Sequence, residues 1–382
     1  MKTLSAYAHI PFCKQKCSYC DFISYEGKNS LIEPYFGALY EEIKTYRALL
    51  GATRTIDSVF IGGGTPNYVD VGYIQILLDV LRDTFEVNRQ AEITMEANPA
   101  SNVELEDFFK YRNAGINRLS IGLQSASNAL LKAIGRVHTK EDFEDFYETA
   151  RRAGYDNINV DLIFGFYEQS VAEWAETLDY VLSLDVRHIS CYSLKLEEGT
   201  PLYHRYLQQG IDIEDIQDRD REMYEMARDR LLGSGFRQYE LSSFALPGYE
   251  SVHNLHYWNT DEYIGFGAGA HSYINDARFY NISDLTAYIE GIKENLSAIE
   301  EVEQLDEETK EEEFVIMALR KLDGVDLEEY YKRFGKDFLE EYAEQVLYLQ
   351  GAGLLNVRDE HVCLSEDGLD FANIVMMEFV RG

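Results

Sequence analysis

Six times between residues 1 and 245 a short apolar run of strand length is followed by a longer segment with helical spacing, which points to a sheet of parallel strands joined by helices. The runs are the segment before Pro11, Asp57–Ile61, Glu92–Met95, Asn117–Ile121, Ile158–Phe164 and Arg187–Ser193. Hairpin signals between them are few. Ser30–Leu50, with Ile32, Phe36, Leu39 and Ile43 on one face and Gly51 as a stop, reads as the first crossover helix. Ser101-x-x-Glu104 and Ser170-x-x-Glu173 have the form of capping boxes at later helix starts. Such sheets bind ligands at the carboxyl ends of their strands. The chemistry-bearing residues fall there: the first cysteine loop, the turn Gly62-Gly63-Gly64-Thr65-Pro66, then Glu96, Gln124 and Asp161. Each has a plain structural reading taken singly, as a strand-to-helix turn, a solvated carboxylate or a loop cap. Consecutive units aiming polar groups at one mouth favour a ligand.

Cys13, Cys17 and Cys20 put three of the five cysteines within eight residues. A structural zinc takes four protein ligands, so this C-x3-C-x2-C set is one short of a zinc site. A cubane iron–sulfur cluster can be held by three thiolates, leaving its fourth iron open to a small molecule. Lys14 and Lys16 favour the thiolate state, and Phe12, Tyr19 and Phe22 limit solvent access. Cys191 and Cys363 read as buried apolar residues. The charge sum, 35 minus 68 or −33, excludes a protein that binds nucleic acid through its phosphates. No transmembrane segment or leader is legible, and thiols without partners suit a reducing cytoplasm.

The C-x3-C-x-Tyr-C pattern resembles the signature of the radical S-adenosylmethionine (SAM) superfamily. The longer string, Tyr7-x-His9-Ile10-Pro11-Phe12-Cys13 through Cys17-x-Tyr19-Cys20-Asp21-Phe22, is similar to the subgroup of oxygen-independent coproporphyrinogen III oxidases and HemW-like haem chaperones. This resemblance implies an incomplete (β/α)6 barrel over residues 1–245, with a [4Fe-4S] cluster on Cys13, Cys17 and Cys20. It places SAM against Tyr7, Tyr19, Gly63, Gly64, Thr65 and Glu96. Gln124, Arg136 and Asp161 match the positions at which the oxidase branch binds a second SAM. The chain departs from that branch at Phe22, where the oxidases carry a further cysteine, and in having only six residues before Tyr7. Both departures are features of the chaperone side.

From Gly248 the alternation gives way to a loop-like stretch, expected as a bridging segment over residues 246–300. It contains His253-Asn254-Leu255-His256-Tyr257-Trp258 and Gly265-x-Gly267-x-Gly269-Ala270-His271-Ser272-Tyr273. Local physics reads His253 as a turn cap and the aromatics as core. The string H-N-x-x-Y-W resembles the haem-binding motif of the chaperone branch, which implies haem bound by His253, Asn254, Tyr257 and Trp258. His253 is then the expected iron ligand, with His256 and His271 as rivals. The run Glu300–Glu313, with nine acidic residues, reads as a linker or helix start. Residues 301–382 then form a small helical, winged-helix-like C-terminal domain, with stripes Phe314, Val315, Ala318, Leu319, Leu322 and Phe338, Tyr342, Val346, Leu349, and a hairpin of Leu354–Val357 with His361–Leu364.

The function implied by the resemblance is a haem chaperone that passes haem to an acceptor haem protein, respiratory proteins among the candidates. An electron donor of flavodoxin type and peripheral visits to a membrane belong to the same expectation. The alternative is an enzyme in which SAM cleavage yields a radical that takes hydrogen from a coproporphyrinogen propionate, which then loses carbon dioxide. A zinc-stabilised binding module would explain the cysteines but neither the glycine turn nor the strand-end carboxylates.

Overall fold

The structure is a computed structural model that describes residues 2–100, 103–211 and 214–381. The six expected strands form and pair in sequence order: β1 (Lys2–Ile10), β2 (Arg54–Gly63), β3 (Glu86–Ala97), β4 (Arg118–Gln124), β5 (Asn157–Phe164) and β6 (His188–Ser193). Every neighbouring pair among them is parallel. Helices Ile32–Thr45, Val71–Thr84, Leu105–Ala114, Lys140–Arg152 and Val171–Leu182 are the main crossovers, and the inner faces meet in one core that includes Ile10, Ile61, Leu119, Val160 and Ile189. Both faces of these strands are covered, so their sequences read as nearly continuous apolar runs.

The ends differ from expectation in physically clear ways. The first helix stops at Thr45 and not at Gly51, and Arg47–Gly51 turns back beneath it through Leu50 N–H and Gly51 N–H to the Tyr46 carbonyl at 2.9 and 3.3 Å. Ser101 and Asn102 lie outside the described residues; the reciprocal cap of helix Leu105–Ala114 is made by Glu104 with Asp107. Ser170 and Glu173 form the capping box the sequence announces.

The stretch after Gly248 is not a loop. Ser251 caps a two-turn helix, Val252–Trp258, by accepting from Asn254 N–H. Tyr263–Phe266 then lies parallel to β1, and His271–Ile274, Ala277–Asn281 and Ile299–Gln304 continue the sheet in antiparallel order. At the other edge Ser243–Ala245 and Arg237–Gln238 add two antiparallel strands, giving a twelve-stranded sheet with two open ends. The turn after Tyr263–Phe266 requires glycine: Gly267 has φ +101°, and a Cβ there would stand 2.3 Å from the Tyr35 hydroxyl. Glu42, buried, accepts from Gly267 N–H, Asn281 Nδ2 and Tyr288 Oη and so pins this segment to the first helix.

The acidic run Glu300–Glu313 divides into an exposed edge strand and the start of helix Glu307–Ala318, capped by Asp306. Carboxylates along an unpaired edge discourage pairing with another chain. Beyond it a second apolar core gathers Phe314, Val315, Tyr330, Phe338, Tyr342, Val346 and Phe379. Val325–Asp326 joins the hairpin Leu355–Arg358 and His361–Leu364 in a three-stranded sheet, which together with the helices gives the winged-helix-like outline expected. Leu241 packs into that core, and Arg333 donates to the Asn259 carbonyl at 2.8 Å and Thr260 Oγ1 at 3.0 Å, tying it to the sheet.

Candidate functional site

The carboxyl ends of β1 to β6 surround a cavity of about 630 Å3 whose wall includes Cys13, Cys17, Cys20, Tyr19, Gly63, Gly64, Thr65, Glu96, Gln124, Arg136 and Asp161. Eleven of the twelve residues expected around cluster and SAM therefore share one mouth. The twelfth, Tyr7, stands one layer behind: its ring stacks on Phe60, which does line the cavity, with centroids 6.3 Å apart, and its hydroxyl meets His9 Nδ1 at 3.0 Å.

The cysteine loop and the glycine turn are built as one unit. Gly64 N–H donates to the Ile10 carbonyl and Thr65 N–H to the Phe12 carbonyl, both at 2.9 Å. Thr65 Oγ1 donates to Cys13 Sγ at 3.4 Å, and Arg136 Nη1 approaches Cys17 Sγ at 3.7 Å. A Cβ on Gly64 would meet Cys13 Sγ at 3.0 Å, so the close approach needs glycine. All three thiols are free, and burial pushes those of Cys13 and Cys20 up. Among the described residues no three His, Cys, Asp or Glu side chains converge on a single metal ion. Three thiols spread over one wall instead suit a cubane, whose irons stand at separate corners and take one thiolate each.

The facing wall suits a small cationic zwitterion. Glu96 accepts Gly63 N–H at 3.0 Å, and burial together with the nearby Asp161 carboxylate pushes its carboxyl up to about 8. Asp161, also raised by burial, accepts from Ser120 Oγ and Asn159 Nδ2 at 2.8 Å each. Gln124 sits at φ +67° with its buried Oε1 unpartnered, an acceptor that a ligand donor would satisfy. These groups fit SAM, whose sulfonium and ammonium charges favour ionised carboxylates. With Glu96 largely protonated near neutrality, SAM affinity is expected to rise about tenfold between pH 6.5 and 8, with proton release on binding. Calorimetry in buffers of differing ionisation enthalpy measures this; Glu96→Gln flattens the dependence, and pH-independent binding by the wild type would contradict it. The same raised carboxyl lowers fold stability progressively as pH climbs from its unfolded value near 4.5 to about 8.

Several lining residues escape the sequence reading: Phe60, Arg118, Ser120, Asn159 and Ser190. Their signal is the period-two placement of polar side chains inside apolar strands, at 118 and 120 and at 159 and 161, which marks the face turned to the barrel interior.

Asn254 shows where the motif helix Val252–Trp258 stands. Asn254 lines the mouth cavity, whereas Tyr257 and Trp258 line a second cleft of about 830 Å3 beside Lys2 and Thr3, at the opposite ends of the strands. The helix is thus a wall shared by both spaces. Buried Glu92 accepts from Val252 N–H at 3.3 Å and His253 N–H at 3.1 Å and faces Arg118 Nε at 3.9 Å. His253, the expected iron ligand, is 1% exposed and lines neither space. Its Nδ1 meets Ser58 Oγ at 2.9 Å and its Nε2 meets Tyr257 Oη at 3.0 Å, and burial pushes it down to about 3, leaving a neutral imidazole. Of this pair only Tyr257 lines the cleft. Neither rival lines the cleft: His256 lies 3.7 Å from Asp261, and His271 stacks on Tyr280.

Comparison with known proteins shows which proteins the chain is similar to. Residues 7–181 match the family described as the Radical SAM superfamily, and residues 305–371 match the HemN C-terminal domain. The heme chaperone HemW of Bacillus subtilis is 34% identical over 377 residues, 98% of this chain and 99% of that one. The heme chaperone HemW of Escherichia coli is 38% identical over 271 residues, 70% of this chain and 69% of that one. Among solved structures, coproporphyrinogen III oxidase (HemN) from Escherichia coli superposes with a TM-score of 0.86 at 25% identity, covering 99% of this chain and 90% of that one.

Proposed function

The chain belongs to the radical SAM superfamily and, within it, to the heme chaperone HemW family, and from that premise we propose that it binds haem and hands it to acceptor haem proteins. The observation that carries this reading is the motif helix standing between two spaces, one fitted to cluster and SAM, the other walled by Tyr257 and Trp258. Cys13, Cys17 and Cys20 hold the [4Fe-4S] cluster, and Gly63, Gly64, Thr65, Glu96, Gln124 and Asp161 hold SAM at the same mouth. The bound cluster supplies an open iron and a single electron. Arg136 sets a positive charge beside Cys17, while Tyr19, edge-on to Phe166, shields the loop from water. Tyr257 offers an oxygen to haem iron, and neutral His253 holds that hydroxyl through their 3.0 Å hydrogen bond. Occupancy of the mouth reaches that pair through Asn254 and through Phe60, whose ring lies 5.1 Å from the His253 ring.

Lys14 and Lys16 are exposed beside the cluster loop, a basic rim on an otherwise acidic chain that suits an acidic electron donor of flavodoxin type. The five free cysteines fit a cytoplasmic setting, and among the described residues no helix is long and apolar enough to cross a membrane, so contact with a membrane-bound acceptor would be peripheral. The test is transfer: hemin-loaded protein mixed with a haem-free acceptor is expected to yield the acceptor's absorbance spectrum and activity.

A further inference from the structure

We propose that haem lies in the cleft between the motif helix and the C-terminal helices Glu307–Ala318 and Leu327–Phe334, with Met317 and Phe334 as its second apolar wall and Lys310 and Arg333 as the partners of its carboxylates; the inference rests on the haem reading above. A porphyrin dianion asks for two apolar faces, room for a broad flat ring and cations at one edge. The cleft of about 830 Å3 supplies room, apolar side chains and the cations Lys310 and Arg333, which stand among the carboxylates of Asp261, Asp276 and Glu307. Tyr257 and Trp258 of the motif helix and Met317 and Phe334 of the C-terminal helices all line it. Trp258 is held by the Arg320 guanidinium 4.3 Å above its ring, and its buried Nε1 has no partner. Lys310 lies 3.2 Å from Asp276 and 2.6 Å from Glu307, and Arg333 3.2 Å from Asp261 and 2.7 Å from Glu329, so both cations reach the cleft already paired. Ion pairs of this partly exposed kind contribute little, and exchanging one carboxylate for a ligand propionate costs little.

Placement in this cleft separates cargo from cofactor. Lys2 and Thr3, at the start of β1, line the cleft, while Cys13 follows the end of that nine-residue strand. At a rise of about 3.3 Å per residue that strand spans roughly 25–30 Å, and between the two spaces stands the motif helix, with Asn254 on the mouth and Tyr257 one turn on in the cleft. With that helix filling the space between them, the mouth acts on the cargo through the motif helix. The C-terminal domain is half of the binding site, and haem release requires it to part from the sheet or the ligand to slide out along it.

The experiment is a hemin titration on anaerobically reconstituted full-length protein, followed by Soret absorbance, with iron and sulfide content and SAM binding measured on every sample. Met317→Arg, which fills the cleft, is expected to weaken hemin binding at least about tenfold while cluster and SAM stay as in the wild type. Lys310→Gln combined with Arg333→Gln, which keeps the cleft open, is expected to weaken it several-fold and serves if Met317→Arg fails to fold. Wild-type hemin affinity in these variants, with Tyr257→Phe still weakened, would overturn the placement and leave the haem reading standing. No saturable hemin binding by the wild type would overturn the haem reading and the placement with it.

Discussion

Cys17→Ala protein, reconstituted without oxygen, is expected to lose its cluster: iron and sulfide fall from about four of each per chain to near zero, and the broad visible absorbance goes with them. Two thiolates cannot hold three irons, and no other cysteine can substitute. Cys191 is 2% exposed within β6, and Cys363 is buried in the C-terminal sheet. Cys17 also anchors its own loop, since its carbonyl accepts Cys20 N–H at 3.2 Å and its sulfur faces Arg136. SAM affinity should fall with the cluster, because the open iron is lost. Hemin binding should persist, because the cleft lies at the far ends of the strands. Cys191→Ser and Cys363→Ser should retain full iron and sulfide. Wild-type cluster content in Cys17→Ala would refute the ligand assignment.

Glu92→Ala is expected to destabilise the fold by about 3–5 kcal/mol, more than any other polar substitution near the motif. Glu92 is 8% exposed and faces Arg118, itself 2% exposed with no hydrogen-bond partner on Nε. Removing the carboxylate strands that guanidinium in the barrel interior. It also frees Val252 N–H and His253 N–H at the start of the motif helix, a capping loss of about 1 kcal/mol within that total. Denaturant unfolding measures the first effect and hemin titration the second, since a frayed helix no longer positions Tyr257. The double variant Glu92→Leu with Arg118→Met should recover most of the stability by removing both charges together. A Glu92→Ala midpoint equal to the wild type's would contradict the pairing.

The parallel part of the fold is legible because strand and helix periods alternate without interruption, and all six strands lie where their apolar runs predict. Cysteine loop, glycine turn, Glu96, Gln124 and Asp161 are legible for a topological reason: parallel strands deliver their ends to one side, so residues remote in sequence share a mouth. The polar lining inside the strands is legible only as a face: period two sets Arg118 with Ser120 and Asn159 with Asp161, but partners such as Glu92 for Arg118 come from other strands and no local pattern names them. The motif helix is missed because His253-Asn254-Leu255-His256-Tyr257-Trp258 carries no amphipathic stripe; its helical form comes from the Ser251 cap and from Glu92, 159 residues away from Ser251 in sequence. His253 is expected at the iron because the string H-N-x-x-Y-W resembles a haem-binding motif, whereas local physics alone reads it as a turn cap. Its burial against Ser58, Phe60 and Tyr257 follows only from the pairing of Tyr263–Phe266 with β1, which no local pattern announces.

The most direct test of the central claim is haem transfer. Protein carrying cluster, SAM and one equivalent of hemin is mixed with a haem-free acceptor, while 5′-deoxyadenosine formation and decarboxylation of added coproporphyrinogen III are followed in parallel. The account predicts that the acceptor gains haem, that Tyr257→Phe abolishes the gain by failing to load, and that coproporphyrinogen is not consumed. Steady decarboxylation of coproporphyrinogen with no haem delivered would contradict it.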